Sequence, residues 1–150
     1  MLVMMKALRG SMACSAFLPA TVGAVRALAG VDELTILWAL EAGEMPWAWD
    51  IALPGCDKRE IRIWWPAARL WVAGIKEQPP HTITDVLDHV LGTTTRAEIR
   101  SHELRVRLVC SHNHISRLQD RGCLEGEIIG HTRILKTESV RQWLIARRLR

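Results

Sequence analysis

SHELRVRLVCSHNHISRLQDRGCL (residues 101–124), EGEIIGHTRIL (125–135) and KTESVRQWL (136–144) follow one another without a break, and their apolar spacing decides the fold. Leu104 and Leu108 lie four residues apart and so share one helical face, while Ile115 and Leu118, three apart, share another. Cys110 supplies a small buried residue between the two segments. Ser111 suits the start of the second, because its hydroxyl can accept from a first-turn amide that has no partner within the helix. Gly122 stands where a helix end usually turns left-handed. Two short β-like runs come next, around Ile128 and Ile129 and from Arg133 to Leu135, with Gly130 at the bend. Thr137 then reads as the cap of a last helix carrying Val140, Trp143 and Leu144 on one face.

Helix, turn, helix, hairpin, helix is the order of a winged helix-turn-helix, an α+β architecture that is mainly α. These residues resemble the excisionase family and the DNA-binding domain of the mercury-resistance-regulator (MerR) type. The likeness rests on Ser101, Leu104, Leu108, Ser111, Ile115, Arg117 with Leu118, Gly122 and Leu124 without a gap, and on Val140, Trp143 and Leu144 at the end. It departs from the family at Val109, where the turn is often glycine, and at Arg105, where the first helix often carries alanine. The resemblance implies an architectural factor that bends attachment-site DNA and directs a recombinase, or a small transcriptional repressor of the same build. An effector sensor fits less well, since such proteins dimerise through a long helix after the winged helix and this sequence stops at Arg150.

Charge supports a polyanion partner for this half. Residues 96–150 hold twelve Lys/Arg against six Asp/Glu, whereas residues 1–75 hold seven of each. The expected DNA contacts are Ser111, His112, Asn113, His114, Arg117 and Arg121 on the second helix, with His131, Thr132 and Arg133 at the wing and Arg148 on the final helix. Asn and Arg can make bidentate hydrogen bonds to adenine and guanine edges, and His can add bonds to bases or phosphates.

The same layout occurs earlier, displaced by 79 residues, in TVGAVRALAGVDELTILWALEAGEMP (21–46). Val25 falls on Leu104, Val31 on Cys110, Ile36 on Ile115, Gly43 on Gly122 and Met45 on Leu124. Strands are expected from Trp47 to Ile51 and from Glu60 to Trp64, with the turn at Pro54 and Gly55, and Pro66 opens a last helix whose Trp71 parallels Trp143. An internal repeat explains this better than chance recurrence of Gly and Pro. The copies differ at the groove-facing positions, which in the first are Asp32, Glu33, Leu34, Thr35 and Trp38. Six acidic residues and no Lys or Arg lie between Arg26 and Lys58. Carboxylates there would repel phosphates, so the first copy reads as a degenerate winged helix given over to protein contacts. Six of the seven Trp fall between residues 38 and 71, more than so small a core is expected to bury, and the excess suggests self-association or a protein partner.

The expected organisation is a leader over 1–15, a degenerate winged helix over 16–75, a linker with a short helix over 76–95, and a DNA-binding winged helix over 96–150. Lys6 and Arg9 ahead of the apolar run 12–25 mimic a signal peptide, but Pro19, Gly23 and Arg26 interrupt it, and no stretch approaches the ~20 apolar residues of a membrane span. Within the linker, Gln78 to His81 form a stiff joint and a helix is expected from Thr84 to Leu91, stopped by Gly92. Thr95 and Glu98 then have capping-box spacing. Cys14, Cys56, Cys110 and Cys123 show no CxxC spacing, which fits a reducing, cytoplasmic setting, and the resemblance to DNA-binding families implies association with the nucleoid. His102 and Glu103 begin an HExxH-like string that fails at Val106. Cys110, His112, His114 and Cys123 point in divergent directions on the expected fold, so no metal, cofactor or catalysis is expected. The alternative to a DNA reader is an interaction module that keeps the fold and holds a protein instead.

Overall fold

The computed structural model describes residues 19–92 and 96–149, so the expected leader and the Thr95 cap lie outside the described residues. The described chain is α+β, with seven helices and two small antiparallel three-stranded sheets. No helix among the described residues is long and apolar enough to cross a membrane.

The first half runs β1 (Ala20–Thr21), α1 (Val22–Ala29), α2 (Glu33–Glu41), β2 (Ala48–Asp50), β3 (Ile61–Ile63) and α3 (Trp65–Val72). After α4 (Ile83–Leu91) the second half runs β4 (Glu98–Arg100), α5 (Ser101–Leu108), α6 (His112–Asp120), β5 (Gly126–Ile129), β6 (Thr132–Lys136) and α7 (Thr137–Ala146). The strand orders are the same, β1-β3-β2 and β4-β6-β5. Both helix pairs keep the 79-residue displacement end to end, α1 onto α5 and α2 onto α6. The paired positions also share their environments: Val25 and Leu104, Ile36 and Ile115, and Met45 and Leu124 are all buried.

Local chemistry explains the helix boundaries. Asp32 accepts from the Thr35 amide at 2.9 Å, and Ser111 accepts from the His114 amide at 3.1 Å, so each second helix of a pair starts on a side-chain cap. The first helices end left-handed, at Gly30 (φ 67°) and at Val109 (φ 54°). A β-branched residue in that region is strained by roughly 1–3 kcal/mol, so something must hold the second turn. Arg62 of β3 does so, donating through Nε to Leu108 O at 2.8 Å and through a terminal nitrogen to Val109 O at 2.7 Å. Burial pushes its guanidinium below the usual range, with Glu60 opposing the shift.

Four expectations are corrected. Thr137 is the first residue of α7 and makes no capping bond; its hydroxyl is buried with no partner among the described residues. Glu98 lies in a strand and caps no helix, because Ile99 buries itself by pairing with Leu135 of β6. The short helix starts at Ile83, with Thr82 as its cap. Trp47, Trp49, Trp64 and Trp65 are buried, leaving only Trp38 well exposed and Trp71 half-buried.

Those rings find cover because the largest core cluster crosses the halves. Trp47, Trp49, Ile51 and Trp64 pack in one cluster with α4 (Val86, Leu87, Val90, Leu91) and with Leu104, Leu108, Ile115 and Leu144. A second cluster, around Val25, Ile36, Met45 and Ile63, is confined to the first half except for a half-buried Leu149. Leu149 arrives there because the chain after α7 adds itself to the outer edge of β2. The Leu149 amide donates to Ala48 O at 2.8 Å, and the Asp50 amide donates to Arg147 O at 3.0 Å.

The cluster also carries a titratable bond. Trp64 donates its indole N–H to His89 Nδ1 at 3.0 Å, which requires that nitrogen to be unprotonated. Burial, then Arg107, holds the His89 imidazole below its usual range; His81 stacks edge-on against the same indole, and Asp88 beside His89 pairs with Arg141. With the folded value depressed, the unfolded chain takes up the proton first as pH falls. Stability should therefore be level above about pH 7 and decline below the ordinary histidine value of about 6.5. Urea unfolding at pH 7.5, 6.5 and 5.5 should show a smaller decline for His89→Gln, which keeps an acceptor but does not titrate; equal declines would exclude the bond as the cause.

Candidate nucleic-acid interface

Helix α6 buries Ile115 and Leu118 against α5 and the sheet, so the residues about half a turn away must face outward. These are His112, Asn113, Ser116, Arg117 and Asp120. His112, Asn113, Arg117 and Asp120 are exposed, and Ser116 is half-buried. Along one edge of the stripe lies the β5–β6 hairpin, tied down by Arg133, which donates to Gln119 Oε1 at 3.0 Å and to Asp120 Oδ1 at 2.9 Å. Along the other edge lies the β2–β3 loop of the first half. His114 Nε2 lies 2.5 Å from Ile51 O and must carry the proton, and Arg121 donates to Pro54 O at 2.9 Å.

The ten expected contact residues therefore fall into two sets. Ser111, His112, Asn113 and Arg117 sit together at the start of α6, and His131 and Thr132 are exposed at the turn of the adjacent hairpin. The other four are engaged within the chain. His114 is 8% exposed, so the expectation that it reads base edges is corrected; its ring seals the seam between the halves, with Glu60 4.0 Å from Nδ1. Arg148, expected to meet a phosphate, stacks its guanidinium 3.9 Å over the Trp47 ring and donates to Pro46 O at 3.0 and 3.1 Å. Arg133 holds the hairpin to α6, and Arg121, though exposed, is bonded to Pro54 O. Arg147, whose place in the basic chain end also suggested a phosphate contact, donates instead to Asp50 O at 2.8 Å and helps to fix the terminal segment.

Arg62 is the positioning residue that sequence reasoning missed. The alternation Ile61-Arg62-Ile63 puts its side chain on the face opposite the first-half core, and that pattern was the available signal. Cys110 lies beside it, and burial pushes the thiol up to about 11, against the pull of Arg62. It stays protonated and acts as a small packing residue. Among the described residues no group of three His, Cys, Asp or Glu side chains could hold a metal ion.

The first half presents the equivalent stripe with opposite chemistry. Glu33, Leu34, Leu37, Trp38 and Glu41 replace His112, Asn113, Ser116, Arg117 and Asp120, and Leu34 and Trp38 are 55% and 63% exposed. Asp32 at the head of that helix is held below the usual carboxylate range, chiefly by the Thr35 hydroxyl. No protein-family model, curated protein or solved structure matches the chain.

Proposed function

We propose that this chain is a sequence-specific double-stranded DNA-binding protein made of two tandem winged helix-turn-helix units, of which only the second meets DNA. The observation that carries the reading is the outward stripe of α6. His112, Asn113 and Arg117 are exposed there, on a helix whose other faces are packed, and their side chains make no hydrogen bond or ion pair among the described residues. A capped helix that presents Asn and Arg from its first two turns is suited to a major groove, and a hairpin at its flank is suited to the backbone or the minor groove. In the resemblance described above, such a protein bends attachment-site DNA for a recombinase or acts as a small repressor, in the cytoplasm and on the nucleoid. It needs no cofactor and performs no catalysis.

The test begins by selecting tight-binding duplexes from a randomised pool with the whole chain. Arg117→Ala is then compared with wild type by fluorescence anisotropy on the selected and on a scrambled duplex, across a salt series. Loss of a base-reading arginine should cost roughly 1–3 kcal/mol on the selected duplex and little on the scrambled one. An equal loss on both would mean that α6 grips phosphate without reading sequence. Failure to enrich any duplex would leave the second reading, an interaction module that keeps the fold. The exposed Leu34 and Trp38 at the equivalent positions of the first half favour that reading for α2 alone.

A further inference from the structure

We propose that a second copy of this chain docks across the α2 stripe and the α5–α6 turn, with α2 of each copy lying on α5 of the other about a two-fold axis. Leu34 and Trp38, one turn apart on α2, are 55% and 63% exposed, far more than folding of a single chain requires of a tryptophan. Asp32, Glu33 and Glu41 rim them, with no Lys or Arg on the helix. Val106 and Val109 are also apolar and open, at 45% and 40% exposed, and Arg105 lines the groove around them, with the largely buried Arg62 paired to Glu60 at its edge. One patch is thus an apolar centre with an acidic rim, and the other an apolar centre beside the basic Arg105.

Glu33 and Leu37 of the α2 stripe lie across one ridge from the α5 groove. A cleft lined by Val22, Glu33, Leu37 and residues 57–62 opens on one side of Glu60 and Arg62. The groove lined by Arg105, Val106, Val109 and Cys110 opens on the other side of the same two residues. A two-fold axis near that ridge brings α2 of each copy onto the α5 groove of the other, the closed arrangement in which residue i meets j and j meets i. Pairing α2 with α2 would instead oppose Glu33 and Glu41 to their own copies, and like charges across an interface are unfavourable. The crossed contact is the one that matches charge and covers the tryptophan. It does not depend on the DNA-binding reading.

Sedimentation velocity on the full chain over a concentration series tests this, with two charge-introducing variants. Wild type should dimerise with a dissociation constant on the order of 10–100 μM, the range of a small, transient interface. Trp38→Lys and Val106→Glu, both at exposed positions and both checked by circular dichroism for intact fold, should each be monomeric throughout that range. An equimolar mixture of the two should regain dimer, because one crossed contact is then wild type and the other opposes lysine to glutamate. A monomeric wild type would assign the α2 stripe to a different partner and overturn the proposal. A Val106→Glu variant that still dimerises while Trp38→Lys does not would mean an α2-to-α2 contact and would overturn it equally, as would a mixture that stays monomeric.

Discussion

A fragment of residues 96–150 is expected to show no cooperative unfolding transition, although it contains every element of the second half. Its apolar faces belong to a cluster that also holds Val86, Leu87, Val90 and Leu91 of α4 and Trp47, Trp49, Ile51 and Trp64 of the first half. Burying an aliphatic side chain of this size contributes roughly 1.5–3 kcal/mol, so loss of the four α4 residues alone removes up to about 6–12 kcal/mol. Total stabilities of small domains are about 5–15 kcal/mol, so the fragment is left with little or none. A fragment beginning at residue 76 regains α4, and with it the charge-assisted bond from Arg141 to Asp88, and should recover helical signal with a shallow transition. The whole chain should melt once, at the highest temperature. Thermal melts followed by far-ultraviolet circular dichroism decide the matter. If 96–150 melts as sharply as the whole chain, and at the same temperature, the shared cluster is not what holds the second half together.

That expectation could not come from the sequence alone, and the reason is physical. Helix signals are local: Ser111 announces a helix start, Gly92 and Gly122 mark helix ends, and apolar residues three and four apart mark the buried face. All of these survive in a single chain read without partners. Hence the four helices of the repeated pairs were legible, and so was their common displacement. The strands β1 and β4 were not, because neither adjoins its partner strand through a hairpin turn that the sequence could mark. Their stability comes from partners far along the chain, Ala20 against Ile63 and Ile99 against Leu135. The burial of the tryptophans was hidden for the same reason. A ring such as Trp64 looks surplus to a small core until α4, about twenty residues later, closes over it.

The candidate site shows the same division. Asn113 and Arg117 could be chosen from the spacing of α6 alone, because exposure on a helix follows from which residues must be buried. His114 and Arg148 could not be excluded that way. The acceptors that engage them, Ile51 O and Pro46 O, lie 63 and 102 residues away. Basic residues near the end of such a chain look like phosphate ligands until the strand that they complete is seen.

Replacing Trp49 should have the largest effect of any single substitution at the seam. Its side chain is 1% exposed and lies in the shared cluster, and its backbone pairs with Arg148 where the terminal segment adds to β2. Truncation to alanine should cost about 3–5 kcal/mol, the usual range for a buried tryptophan that leaves a cavity. Phenylalanine should cost far less than that, for a reason particular to this site. The Trp49 indole N–H is buried and finds no acceptor among the described residues. Trp49→Phe therefore removes an unsatisfied donor, worth about 1–3 kcal/mol, along with part of the ring, and the two effects oppose each other. Urea unfolding of the two variants separates this account from simple loss of bulk, which would place phenylalanine between alanine and tryptophan in proportion to volume. The same measurement reaches the terminal strand. If the ring anchors that seam, hydrogen exchange at the Asp50 and Leu149 amides should accelerate in Trp49→Ala by more than the global loss of stability accounts for, because these bonds close the β2 edge. Exchange that merely tracks global unfolding would place the tail's stability in Arg147 and Arg148, whose bonds to Asp50 O and Pro46 O would then be enough to hold it.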